Sequence, residues 1–94
     1  MTVIATLKVK SGSEAAFQQA AEKMIAHVKA HEPGTLIYVL NRSTSDPAEF
    51  VFYEVYADGA AFAAHGGSEP MQQFFGVVGG MLDGRPEIRL FDEL

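Results

Sequence analysis

Glu32-Pro33-Gly34-Thr35-Leu36-Ile37-Tyr38-Val39-Leu40, then after a polar break Phe50-Val51-Phe52-Tyr53-Glu54-Val55-Tyr56, then Asp58-Gly59-Ala60-Ala61-Phe62-Ala63-Ala64-His65, reads as two strands and a helix. Both apolar runs are rich in β-branched and aromatic residues, and turn residues bound them. Pro33 keeps Glu32 out of the helical region and Gly34 accepts positive φ, so both end whatever helix precedes them. In the first strand Leu36, Tyr38 and Leu40 share one face, and Ile37 and Val39 the other. In the second, Phe50, Phe52, Glu54 and Tyr56 oppose Val51, Tyr53 and Val55. The loop Ser43-Thr44-Ser45-Asp46-Pro47-Ala48-Glu49 is short and polar, so the two strands form an antiparallel hairpin. Asp58 is placed to cap the helix that ends near His65.

Upstream, Val3 to Val9 reads as a strand. Ser11 and Glu14 have the spacing of a capping box, with Ser13 as the alternative cap. The helix that follows runs to about His31, and Phe17, Ala21, Met24 and Val28 recur at its period with Ala20 and Ile25 beside them. Downstream, Gly66-Gly67-Ser68-Glu69-Pro70 interrupts the second helix. A further helical turn carries Met71, Phe74, Phe75 and Val78, and Pro86 to Phe91 is the last strand. The order β-α-β-β-α-β predicts a ferredoxin-like α+β plait, one antiparallel sheet with helices on one face. The uncovered face would expose Ile37, Val39, Val51 and Val55, which predicts a homodimer packed sheet to sheet.

Composition narrows the function. The 94 residues suit one domain spanning 1–94, and a hydrophobic fraction of 48% suits a packed core. A net charge of −5 argues against a nucleic-acid partner and against an anionic membrane surface. With no cysteine, disulfides, thiol nucleophiles and thiolate metal sites are excluded. No apolar run reaches the length of a membrane span, and Met1 to Lys8 lacks the pattern of a signal peptide, so a cytoplasmic location is expected.

The proline-glycine turn Glu32-Pro33-Gly34-Thr35-Leu36-Ile37-Tyr38, the tyrosine-glutamate strand Tyr53-Glu54-Val55-Tyr56 and the alanine-histidine helix Ala60-Ala61-Phe62-Ala63-Ala64-His65 together resemble the antibiotic biosynthesis monooxygenase family of dimeric α/β barrels. The resemblance spans the whole chain in length and element order. It implies an oxidoreductase that is a cofactor-independent monooxygenase. Such an enzyme deprotonates a small phenol- or quinol-like aromatic and lets the electron-rich anion meet dioxygen in a dry pocket. The haem-degrading relatives carry an asparagine on the first strand where this chain has Ala5 or Thr6, and no tryptophan is present here. No cofactor is therefore expected. In the family's oxygenases the working residues lie between sheet and helices. Tyr56 takes the position of a strand tryptophan, Phe52 that of an asparagine, and Phe62 that of a helix aromatic.

His65 is the candidate base, since its unperturbed pKa lies near 6.5. It follows Phe62 by three positions, so both reach one helix face. The competing assignment is a histidine that only caps the helix end. Glu54, set between Phe52 and Tyr56, is the second candidate. Unless it serves as a base, it needs a partner such as Arg42, Arg85 or Arg89. Catalytic roles therefore fall to His65, Tyr56 and Glu54. Tyr38, Phe52, Phe62, Met71 and Phe75 are the expected walls. His27 and His31 are four apart on one helix face, but Lys23 occupies the next position and no second cluster supports a metal site. Two other functions are open to the same residues: a non-oxidative isomerase or lyase on a small carbonyl compound, and a dimeric ligand-binding module without turnover.

Overall fold

In the computed structural model, which describes residues 1–94, the elements run β1 (Thr2–Lys8), α1 (Glu14–His31), β2 (Thr35–Arg42), β3 (Glu49–Tyr56), α2 (Gly59–Gly66), α3 (Glu69–Val78), a short 3₁₀ turn (Gly79–Met81) and β4 (Glu87–Phe91). The sheet order is β2-β3-β1-β4, and every neighbouring pair is antiparallel. This is the expected ferredoxin-like plait. The single chain does not close it into a barrel: β2 and β4 are free edges of an open sheet.

The register lays two rows of side chains under the helices. One row is Tyr38, Glu54, Val3 and Leu90; the next is Leu40, Phe52, Ala5 and Ile88. The core forms where α1 and α3 cover these rows. Phe17, Ala21, Met24 and Val28 of α1 are all buried, as their period predicts. The rings of Phe17 and Phe50 lie 4.8 Å apart, and Phe74 of α3 packs edge-on against Phe17 and Phe52. Helix cover stops short of β4, so Ile88 and Leu90 stay 52% and 55% exposed although they point to the helix side.

Local details depart from the sequence expectation in four places. A bulge between Thr35 and Ile37 takes Leu36 out of the alternation, and it is exposed while Tyr38 is buried. Gly34 does not use positive φ. A Cβ there would sit 2.8 Å from the Cβ of Ala61, so glycine is required because β2 and α2 approach closely. The capping box at α1 does not form: the helix starts at Glu14, Ser13 makes no side-chain cap, and the Glu14 carboxylate accepts the Gly12 N–H at 2.6 Å. The interrupted second helix becomes two helices, and α3 is ten residues long. Asp58 caps α2 by accepting the Ala61 N–H at 2.8 Å, as expected, and Ser68 caps α3. No helix is long and apolar enough to cross a membrane.

Candidate active site

The antiparallel hairpin of β2 and β3 pairs Thr35 with Tyr56, which brings the α1–β2 turn and the α2 entrance to one end of the sheet. That placement creates the site. A cavity of about 350 Å³ lies between the sheet and helices α2 and α3. Tyr38, Phe52 and Glu54 form part of its floor, Phe62 and His65 come from α2, and Met71 and Phe75 come from α3. No lysine or arginine lines it.

His65 is 3% exposed. Its Nδ1 lies 2.7 Å from Glu32 Oε1, an oxygen that also accepts the Thr35 hydroxyl at 2.9 Å. A carboxylate oxygen accepts, so Nδ1 carries the hydrogen and the neutral ring keeps Nε2 as its basic nitrogen. The ring is braced edge-on by Tyr38 at 4.9 Å and tilted against Tyr56 at 5.4 Å. The Ser68 hydroxyl donates to the His65 carbonyl, tying the end of α2 to the start of α3.

Glu54, on the floor beside Tyr38, is 6% exposed. Its only side-chain hydrogen bond comes from the Tyr56 hydroxyl, which donates to Oε1. Burial pushes the carboxyl above the usual carboxylate range; the Tyr56 hydrogen bond and nearby His65 pull the other way. Burial also raises the Tyr56 phenol, and the bond to Glu54 raises it further. Burial raises the Tyr38 phenol in the same way, with Glu54 and Glu32 adding to it. Both tyrosines therefore stay protonated near neutrality and act as donors, not as bases.

The antibiotic biosynthesis monooxygenase model matches residues 1–77. The chain belongs to that family. A Caulobacter crescentus CB15 structure that bears the family name is 34% identical and superposes with a TM-score of 0.96, covering 99% of this chain and 88% of the other. A Nitrosomonas europaea structure of the same family name is 24% identical, with a TM-score of 0.94 over 99% of this chain and 88% of its own, and speaks for the fold alone. A Pseudomonas aeruginosa structure is 26% identical over 99% of this chain and 92% of its own, with a TM-score of 0.89. No curated protein matches the chain in sequence.

Within this antibiotic biosynthesis monooxygenase fold, His65, Glu54, Tyr38, Phe52, Phe62, Met71 and Phe75 do meet around one cavity. Tyr56 does not line it: the residue is 1% exposed, sits beside Phe62 at 5.2 Å between ring centres, and commits its hydroxyl to Glu54. None of the arginines expected to pair with Glu54 does so. Arg42 donates to Gln18 and covers the Phe50 ring, and Arg89 lies over Phe91. The residue that sequence reasoning missed is Glu32, the carboxylate partner of His65. Its position in the α1–β2 turn, at the sheet end shared with α2, is the signal that would have found it. No three histidine, aspartate or glutamate side chains gather to hold a metal.

Proposed function

We propose that the chain is a cofactor-independent monooxygenase that oxidises a compact phenol or quinol in the cavity beneath α2 and α3. One observation carries this reading: a buried histidine whose outer nitrogen is fixed by Glu32, set in the wall of an apolar cavity beside Tyr38. A general base must be held in one tautomer with its lone pair toward the substrate, and a carboxylate on the far nitrogen achieves that. The cavity volume is at the small end of the usual range of about 300–1,000 Å³, which suits a compact ring system. With no cation in the wall, it favours a neutral aromatic over a phosphorylated or carboxylated one.

In the proposed reaction His65 Nε2 takes the phenol proton. The resulting anion donates electrons from a ring carbon to dioxygen, forming a carbon–oxygen bond. Return of a proton gives a hydroperoxide, which loses water and leaves a carbonyl. The substrate loses two hydrogens, one oxygen atom enters the product and the other leaves as water. In this reading Tyr38 donates to the developing oxyanion, and Glu54, held by Tyr56, supplies a second polar group on the floor. Phe52, Phe62, Met71 and Phe75 exclude water, which strengthens these electrostatic interactions. We further infer a cytoplasmic homodimer through the open sheet face, where Ile37, Val39 and Tyr53 are 42%, 45% and 39% exposed.

The test is oxygen uptake with naphthohydroquinone as probe, with the rate of uncatalysed autoxidation subtracted. Uptake should match product formation one to one. Equal product under argon would replace the oxygenase with an isomerase or lyase. Binding of phenols and quinols without turnover of any would make the chain a ligand-binding module.

A further inference from the structure

We propose that His65, Glu32 and His27 form a proton relay that connects the cavity to the outer surface of α1. The three groups come from three elements: α2, the α1–β2 turn and α1. His65 Nδ1 is 2.7 Å from Glu32 Oε1, and His27 Nε2 is 3.8 Å from Glu32 Oε2. Side-chain exposure rises along the series from 4% to 15% to 31%. The relay therefore begins in the protein interior and ends where water reaches the ring.

Glu32 Oε2 is the chain's one buried side-chain nitrogen or oxygen with no hydrogen-bond partner. The polar group facing this oxygen is His27, whose Nε2 lies 3.8 Å away, about 0.6 Å beyond the usual hydrogen-bond limit. A His27 ring that carries its hydrogen on Nδ1 turns the Nε2 lone pair toward this oxygen, so the oxygen has no donor until a proton arrives from His65. Around His27 stand the His31 ring at 4.9 Å between centres and, along the groove between α1 and α3, Lys23 and Gln73.

The relay answers a physical need of the reaction. A proton left on His65 beside a new phenolate forms a buried ion pair that collapses back to phenol. As the substrate O–H breaks and the His65 Nε2–H forms, the Nδ1–H can break and an O–H form on Glu32 Oε1. A half-turn of the carboxyl group, a soft two-fold torsion, presents that hydrogen to the unprotonated Nε2 of a His27 that holds its own hydrogen on Nδ1. The Glu32 O–H then breaks as the His27 N–H forms. His65 is neutral again, and the anion faces dioxygen without a cation beside it. When the peroxide anion needs a proton it takes the one on His65 Nε2. The same groups run backward to refill Nδ1, so the histidine ends in its starting tautomer.

The direction of use rests on His65 being the base; the connection between the imidazoles does not. The decisive experiment follows exchange of the His65 Nδ1 proton with solvent by ¹⁵N imidazole spectroscopy on the full chain. It compares wild type, Glu32→Gln and His27→Gln, and measures kcat and KM for naphthohydroquinone alongside. His27→Gln, at a half-exposed position, should slow the exchange by about tenfold, lower kcat by a similar factor with KM unchanged, and regain rate with added imidazole. Glu32→Gln should abolish the effect of the His27 substitution. Exchange that is unchanged in His27→Gln overturns the relay, whatever the turnover. Slowed exchange in a protein that consumes no oxygen with the probe upholds the relay and removes the assignment of His65 as base.

Discussion

Phe50 and Val51 are adjacent in β3 yet sit in different surroundings. Phe50 faces α1 and is 1% exposed, whereas Val51 faces the open side of the sheet with no helix over it. The same contrast runs along β3 and β1, and fades at β4, where no helix covers Ile88 and Leu90. The covered face carries Glu54, Tyr38 and the floor of the cavity. The open face carries Ile4, Ile37, Val39, Val51, Tyr53 and Val55 at its centre, and no candidate site. In the function we propose, one face serves chemistry and the other contact. Substitutions on the two should therefore fail differently.

The largest effect is expected on the covered side. His65→Ala should lower turnover of the quinol probe by a factor of about 100 to 10,000 while dimerisation is retained. If turnover is unaffected, the covered face has no catalytic role through this residue. Next comes Phe50→Ala, which removes the ring packed on Phe17. It should cost about 3–5 kcal/mol in denaturant unfolding, where a well-packed surface substitution costs a small fraction of that. On the open face, Val51→Asp should leave the fold intact but shift sedimentation at micromolar concentration from twice the chain mass toward the chain mass. A wild-type protein that already sediments as a monomer would remove the distinction between the faces.

A smaller effect separates the two roles of β3 within the covered face. Tyr56→Phe keeps the ring against Phe62 and deletes the donor to Glu54. It should cost on the order of 1–3 kcal/mol near neutral pH, because the buried carboxyl loses its hydrogen bond. The smallest effect is in pH dependence. The folded Glu54 carboxyl is raised above its usual value of 4.5, so the folded state holds that proton more tightly than the unfolded chain does. Below about pH 4.5 the group is neutral in both states and changes nothing. As pH rises past that value the unfolded chain ionises first, and stability falls until pH passes the folded value. Glu54→Gln should remove this decline, so its advantage over wild type appears only above that pH. An advantage that is constant with pH would show that Glu54 ionises as freely inside as outside.

Much of the covered face was legible because it is periodic. Phe50, Phe52, Glu54 and Tyr56 alternate, and Phe17, Ala21, Met24 and Val28 follow a helical period; both patterns are local and both sets are buried. The Asp58 cap was legible for the same reason. The bulge at Leu36 was not, since one added residue in a strand leaves no mark on composition. The partners of the buried polar groups were legible only in part. That Glu54 needed one followed from its apolar neighbours, but three arginines were available in sequence and a tyrosine two residues away satisfied it. Glu32 and His65 are 33 positions apart, and only the assembled hairpin brings them together.

The contact between Gly34 and Ala61 sets a mechanical gauge. Gly34 lies two residues after Glu32, and Ala61 lies one helical turn before His65, so the space between them fixes how far the carboxylate stands from the imidazole. One added methyl group has nowhere to go except into the Ala61 methyl, which moves only if α2 moves as a whole. A Gly34→Ala change would act as a shim. It would widen the seat of the histidine without touching any residue that carries charge, and the tolerance of the His65–Glu32 pair is thus held by an atom that is absent.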